Sequence, residues 1–390
     1  MRTRFVDGNH VTLLKNGTEF FPALIHAIHE AQFEVRLETY IFRADATGYA
    51  VRDALTSAAL RGVVVRVLVD GVGSRDTAGD FFSPVRGAGG FVLTFRPDHR
   101  LLRISTGRMR RNHRKIALID GRLGFVGGIN IIDDLTDSLS DLPRYDYAAR
   151  VIGPVLADIY ALMHTTWRWV AWRHWRTRDP VVQPIALPKG ISEPAGPHRV
   201  RFVARDNFRH RREIEIVYRD AIAQARMHVL IVCPYFLPGR RFRMALTAAV
   251  KRGVQVTLLL QGRADHPLLQ MATRSLYARL LGMGVRIAEY DRSMLHGKAA
   301  TIDDRWATVG SSNLDPFSLL LNREANLVIE DTAFARQLRE SVESEIAVGA
   351  RWCSAQDWKS LPWWLRWKNR LAYLFARWVV QGMGLTQNWD

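Results

Sequence analysis

Cysteine is nearly missing from this chain. Cys233 and Cys353 are the only two in 390 residues, which excludes a disulfide framework and a cysteine-based zinc site and favours a reducing compartment. No ligand cluster at metal-binding spacing stands in their place, so no metal or other cofactor is expected. Long apolar runs are missing too. The N-terminal stretch MRTRFVDGNHVTLLKNG lacks the apolar core of a signal peptide, and no run of 18 uninterrupted apolar residues occurs anywhere, so no membrane span is expected. Acidic residues are scarce relative to basic ones: 38 Asp plus Glu against 55 Lys plus Arg leave a formal charge of +17. That excess calls for an anionic partner, a nucleic acid or an acidic membrane surface.

What is present is a duplication. Residues His113, Lys115, Asp120, Gly127, Gly128 and Asn130 form a skeleton that returns as His296, Lys298, Asp303, Gly310, Ser311 and Asn313. His to Lys is two residues, Lys to Asp five and Asp to the first Gly seven in both copies. Chance recurrence of five such matches is on the order of one in a million per position tested. The flanks repeat as well: HEAQFEVRLETYIF parallels YRDAIAQARMHVLIVCPYFLP, and LRGVVVRVLVDG parallels KRGVQVTLLLQG. Each half reads as helix, strand, helix, buried strand, then the His/Lys segment, a mixed α/β unit. Arg176 to Arg199 carries five prolines and reads as a linker. The expected division is 1–178, a linker at 179–198, a second half at 199–350, and a terminal segment at 351–390. Related halves commonly pack about a pseudo-twofold axis, which predicts one cleft between them.

HRKIALID reads as a strand, on which residues two apart share a face, so His113 and Lys115 project together. Asp120 is an odd number of residues from both, which points to a structural carboxylate at the strand's end; the turn at Asp120-Gly121 then leads into LGFVGGIN, closing a hairpin. LHGKAATIDDRWATVGSSN repeats this with Asp303-Asp304 at the turn. A lone His-x-Lys on a strand is ordinarily a solvated polar face. Two, in matching halves, suit a tetrahedral phosphate: Lys115, Lys298, Asn130 and Asn313 bind oxygens, one histidine attacks phosphorus and the other protonates the leaving oxygen.

These segments resemble the paired HKD motifs of the phospholipase D superfamily, over about residues 1–350. WATVGSSNLDPFSLLLNREANLVI, the ETYIF and PYFLPG strands and the short N-terminus are most similar to bacterial cardiolipin synthases of the B type, which lacks N-terminal membrane spans. The resemblance implies two phospholipase D-like α/β/α halves sharing one active-site cleft, with a C-terminal amphipathic helix beyond them. It places Asp120 and Asp303 in the catalytic set with the histidines and lysines, against the scaffold role that strand parity assigns them. It implies a phosphohistidine intermediate, and an acidic residue after each motif that orients a histidine: Asp146 in RYDYAARV and Glu324 in NREANLVI. Ser311 and Ser312 either line the phosphate or serve turn packing.

RPDHRLLRISTGRMRRNHRK concentrates Arg96, Arg100, Arg103, Arg108, Arg110 and Arg111 just before the first motif, where they are expected to attract anionic headgroups. Eleven of the twelve tryptophans fall in two clusters, Trp167 to Trp175 and Trp352 to Trp389. In LPWWLRWKNRLAYLFARWVV, the residues Trp364, Trp367, Leu371, Leu374, Phe375 and Trp378 form a helical stripe with Arg366, Arg370 and Arg377 opposite, a pattern for the membrane interface. A terminal helix docked on the protein's own core is the plainer alternative. The expected function is phosphatidyl transfer between two phosphatidylglycerol molecules to give cardiolipin and glycerol, with His113 as nucleophile and His296 as acid and then base. The competing expectations are a phospholipase D hydrolase, a nucleic-acid phosphodiesterase using the same histidines, and a non-catalytic peripheral membrane protein. Partners follow from the first: an anionic phospholipid surface with phosphatidylglycerol or phosphatidylethanolamine, no nucleic acid, and peripheral attachment at the cytoplasmic face of the cell membrane.

Overall fold

The computed structural model describes residues 4–97, 110–135, 141–173, 193–206, 210–263 and 266–382. The first half runs β1 (Val6–Lys15), α1 (Asn16–Glu30), β2 (Glu34–Thr39), α2 (Ala46–Leu60), β3 (Val64–Asp70), α3 (Ser83–Gly87) and β4 (Phe91–Phe95). The hairpin β5 (Ile116–Ile119) and β6 (Leu123–Gly127) follows, then β7 (Tyr147–Ile152) and α4 (Leu156–Arg173). The second half opens with β8 (His198–Arg205), α5 (Glu213–Gln224), β9 (His228–Val232), α6 (Arg240–Lys251) and β10 (Gln255–Gln261). It continues through α7 (Pro267–Arg274), α8 (Tyr277–Gly282), β11 (Arg286–Tyr290), the hairpin β12 (Ala299–Ile302) and β13 (Trp306–Gly310), α9 (Pro316–Leu320), β14 (Glu324–Glu330) and α10 (Thr332–Gly349). The chain ends in β15 (Ala350–Cys353), α11 (Ala355–Ser360) and α12 (Trp363–Gly382).

The strands form one sheet in the order β15-β11-β10-β9-β12-β13-β14-β8-β1-β7-β6-β5-β2-β3-β4. Read outward from the antiparallel β8–β1 pair, the two arms carry the same strands in the same order, so the duplication becomes a pseudo-twofold centred on that pair; among the described residues β15 alone has no counterpart. In each arm three strands are parallel, β2-β3-β4 and β9-β10-β11, and the first hairpin strand, β5 or β12, runs antiparallel beside them. The parallel strands are apolar on both faces because helices cover both. One outer core lies under α1 and α2, and another under α5, α6 and α8. A third, between the halves, joins Leu118, Tyr147 and Ile159 of the first half to Ala299, Leu327 and Leu338 of the second. Burying that shared layer is what fixes one half against the other.

Residue 351 is no structural break, because β15 pairs with β11 and so extends the sheet. Beyond it, α12 packs along α7 through a narrow stripe of Asn369, Ala372 and Ala376, all buried, with Tyr373 partly so. The helix is docked, as the plainer expectation had it, but through its small residues. Trp363, Trp364, Trp367, Leu371, Leu374, Phe375 and Trp378 face away and are exposed. Among the described residues no helix is long and apolar enough to cross a membrane. The segment expected to be a linker lies outside the described residues up to 192, as do Arg100, Arg103, Arg108 and Trp175.

Candidate active site

Both hairpins turn on left-handed residues, Asp120 and Gly121 at φ 51° and 64°, and Asp303 and Asp304 at φ 52° and 47°. Such paired positive φ values suit the twist of a two-residue hairpin, and Asp and Gly tolerate them best. The Asp120 carboxylate accepts hydrogen bonds from the backbone amides of Gln32, Phe33 and Glu34 at 2.8 to 2.9 Å. Asp303 does the same for Arg226, Met227 and His228 at 2.7 to 2.9 Å. These two aspartates fasten the hairpin to the entry of β2 and β9, at the far end of β5 and β12 from the histidines. Their place in the catalytic set is therefore corrected to scaffold, as strand parity had it, because their oxygens are occupied by backbone amides at the end of the hairpin away from the histidines.

The His-x-Lys segments do not sit in the ladders of their own halves. They run extended just ahead of β5 and β12 and bridge to the opposite half, Asn112 pairing Arg323 and Leu295 pairing Tyr145. The His113 amide donates to the Arg323 carbonyl at 2.9 Å, and the His296 amide to the Tyr145 carbonyl at 2.8 Å. Arg323 and Tyr145 immediately precede Glu324 and Asp146. The acids are thereby delivered across the interface: His113 Nδ1 lies 3.1 Å from Glu324 Oε2, and His296 Nδ1 lies 2.5 Å from Asp146 Oδ2. Each half supplies a histidine to the other half's carboxylate. With Nδ1 committed, Nε2 of each ring is left for chemistry.

The lysines sit beside the rings. Lys115 Nζ donates to the His113 carbonyl at 2.8 Å, and Lys298 donates to the His296 carbonyl. An ammonium has three donors, and Lys115 spends one of them on that carbonyl. Burial, with the two lysines adding repulsion against an attraction to Glu324, lowers the His113 pKa; burial and then Lys298, Lys115, Arg144 and His113 push His296 well below its ordinary value. The bridges Asn112–Arg323 and Tyr145–Leu295 bring the two segments to the same seam between the halves. Burial brings Lys115 down to about 7.

The carboxylates are unequal. Burial raises Asp146 to about 6, with Lys298 opposing. Burial pulls Glu324 the same way, but His113, Lys115 and the Ser311 hydroxyl together outweigh it and hold Glu324 below its usual range. Ser311 donates to Glu324 Oε2 at 2.6 Å while accepting from the Ala325 amide, and it is fully buried. Its assignment to phosphate is corrected accordingly: the hydroxyl is spent on holding the acid. In the first half the matching position is Gly128, where a Cβ would lie 2.2 Å from Asp146 Oδ1. Asn130 accepts from the Ile41 amide at 3.1 Å, whereas Asn313 Oδ1 is buried without a hydrogen-bond partner among the described residues. Ser312 donates to the Asn313 carbonyl at 3.1 Å, a turn contact.

Other groups were not singled out from sequence. The Tyr40 ring lies 4.8 Å from the His113 ring, with Lys115 Nζ 5.4 Å from the tyrosine centroid; ETYIF signalled only a strand. Asp70, at the end of β3, accepts from the Asn112 amide and takes Arg111 at 2.7 Å. Its counterpart Gln261 accepts from the Leu295 amide at 2.9 Å. Arg111, expected to attract headgroups, is instead a buried partner of Asp70.

Two histidines on the seam of a duplicated α/β fold, each backed by the other half's carboxylate and flanked by lysine, define a phospholipase D-like site. The family model described as "Cardiolipin synthase, PLD-like domain" matches residues 24–140 and 218–346. The chain is 40% identical over 382 residues to cardiolipin synthase B of Escherichia coli (strain K12), covering 97% of this chain and 90% of that one. It is 31% identical to the major cardiolipin synthase of Bacillus subtilis (strain 168), covering 95% and 76%. In fold it is similar to phosphatidylserine synthase of Haemophilus influenzae, with a TM-score of 0.67 at 16% identity over 96% of this chain and 94% of that one. Polyphosphate kinase of Porphyromonas gingivalis matches at a TM-score of 0.58 and 16% identity, over 96% and 53%. The chain belongs to the cardiolipin synthase family of phospholipase D-like proteins.

Proposed function

We propose that the chain transfers a phosphatidyl group from one phosphatidylglycerol to another through phosphohistidine. His113 Nε2 attacks the phosphorus, the bond to the headgroup glycerol breaks, and His296 gives its Nε2 proton to the leaving oxygen. The second phosphatidylglycerol then enters; His296 takes the proton from its glycerol hydroxyl, that oxygen bonds phosphorus, and the P–N bond breaks to leave cardiolipin. The observation that carries this is the crossed pairing of each histidine with a carboxylate, beside a lysine. It also supports the assignment of roles. The imidazole that attacks becomes positively charged, and a carboxylate held anionic beside it, Glu324, offsets that charge. Burial pushes the His296 pKa well below its ordinary value, so a proton on that ring is readily given up, and Asp146, raised to about 6, is the carboxylate of the two that more readily holds a proton behind it. Lys115, Lys298 and Asn313 are assigned to the phosphate oxygens, and Asn130 to holding the chain at Ile41, just past β2.

Residues 1–178 and 199–350 are proposed as the two units that each contribute one histidine, and 351–390 as the membrane-facing segment. The exposed face of α12 supports peripheral attachment to an anionic bilayer, at the cytoplasmic face where phosphatidylglycerol is offered: Trp363 and Trp378 are 69% and 67% exposed, an arrangement of aromatics that a bilayer interface stabilises and water does not. The test is product analysis: purified protein with liposomes containing phosphatidylglycerol is expected to yield cardiolipin and free glycerol. Phosphatidic acid alone would replace transfer with hydrolysis, and added phosphatidylethanolamine shows whether ethanolamine is released as well.

A further inference from the structure

Where α12 meets α7 and α8, a cleft of about 330 Å³ opens that contains neither histidine. Its wall carries Arg243, Arg274, Arg279, Arg366 and Arg370 and no aspartate or glutamate. Two of the five are engaged from behind, Arg274 with Glu289 at 2.9 Å and Arg243 with the Pro238 carbonyl at 2.6 Å. Arg279, Arg366 and Arg370 are exposed and have no carboxylate partner among the described residues. Arg366 and Arg370 thus flank the apolar stripe of α12 rather than oppose it, and Arg370 lies over the Trp367 ring at 5.6 Å. An arginine cluster that repels itself is stabilised by a bound anion, and guanidinium forks match phosphate oxygens. The same helix that forms one wall turns its tryptophans outward.

We propose that this cleft is a second, non-catalytic phospholipid site, which takes the phosphodiester headgroup of an anionic lipid whose acyl chains lie in the bilayer along the Trp stripe. Headgroup and chains are bound by two sides of one helix, so the site fixes the enzyme's orientation on the membrane. This rests on the proposal that α12 lies at the membrane surface, and the test separates the two.

The experiment measures co-sedimentation of the full chain with vesicles of phosphatidylcholine alone and with phosphatidylglycerol added. Arg279→Ala/Arg370→Ala is expected to weaken binding to the phosphatidylglycerol vesicles about 30-fold, at about fivefold per arginine, and to leave binding to phosphatidylcholine unchanged. Arg86→Ala/Arg122→Ala removes the same charge from exposed positions on the first half and is expected to change binding much less. Equal losses in the two variants would mean that net charge alone acts, and no loss in the first would mean that the cleft binds no lipid; either overturns the proposal. Trp367→Ala/Trp378→Ala is expected to weaken binding to both vesicles, and full retention there would overturn the membrane placement of α12 itself. Arg279→Lys/Arg370→Lys, which keeps the charge, is expected to recover most binding. Thermal melting and turnover in detergent micelles check that each variant is folded with an intact active site.

Discussion

Gly128→Ala tests the crossed arrangement at one atom. A Cβ there would sit 2.2 Å from Asp146 Oδ1 and 2.7 Å from Oδ2, far inside contact, so the carboxylate must move. It has nowhere cheap to go: Oδ1 accepts from the Tyr147 amide at 2.7 Å, Oδ2 holds His296, and the residue is buried. Displacement by about 1 Å takes His296 out of line with the leaving oxygen, which costs on the order of 100-fold in kcat with little change in KM. Strain in the packed site costs roughly 1–3 kcal/mol of stability, small enough for the enzyme to remain folded. The second half has a side chain at the same position, Ser311, and there it serves a glutamate. The double variant Gly128→Ser/Asp146→Glu copies that solution into the first half and is expected to recover part of the lost rate, where Gly128→Ser alone does not. The assay is cardiolipin formed per unit of folded protein, with melting temperature measured alongside. Wild-type turnover by Gly128→Ala would refute the idea that Asp146 must lie where it does.

Three further perturbations separate the roles of the other residues. His113→Ala and His296→Ala each abolish transfer from phosphatidylglycerol, but a phosphodiester with an aryl leaving group, which departs without a proton, restores phosphoenzyme formation in the His296 variant alone; restoration in the His113 variant would reverse the assignment. Lys115, with its pKa brought from 10.5 to about 7 by burial, carries charge below that value and loses it above, so KM for phosphatidylglycerol rises as pH climbs through about 7 in a pH series, and a flat KM would remove Lys115 from phosphate binding. Asp120→Asn and Asp303→Asn each lose charge-assisted bonds to backbone amides, lowering stability by roughly 1–3 kcal/mol in denaturant titrations while kcat per folded molecule stays within about twofold.

How legible this was in the sequence depended on the range of the interaction. The duplicated skeleton and the Asp120 and Asp303 scaffold roles follow from periods of two and from turn chemistry, which act within a few residues. Asp146 and Glu324 were found as acids following each motif, but the exchange of partners was not, because nothing local says that His113 meets an acid 211 residues away. The bond from Ser311 to Glu324 was hidden for the same reason: a hydroxyl beside a phosphate site is indistinguishable in sequence from one spent on a carboxylate. In α12 the large apolar residues announced a stripe, and the docked stripe of Ala372 and Ala376 was hidden beneath it, since close helix packing favours small side chains that carry little hydrophobic signal. Arg111 in a basic run gave no sign of Asp70, which arrives from the end of another strand.

The crossing also explains how two copies of one motif come to perform two different steps. A perfect twofold would give both histidines one environment, and neither would be preferred as nucleophile. The departures from symmetry here fall on the groups behind the rings rather than on the rings themselves. Ser311 stands where the first half has Gly128, and Glu324 where it has Asp146. Tyr40 packs on His113, and the matching residue after β9 is Pro234. Because each carboxylate belongs to the half opposite its histidine, a substitution in the second half retunes His113, and one in the first half retunes His296. The histidines and lysines proposed to act on the phosphate stay duplicated, while a serine and one methylene of carboxylate length accompany a Glu324 held below its usual range and an Asp146 raised to about 6. Charge develops on the attacking ring and a proton leaves from the other, so unequal carboxylates behind equal imidazoles are sufficient to divide the labour between them.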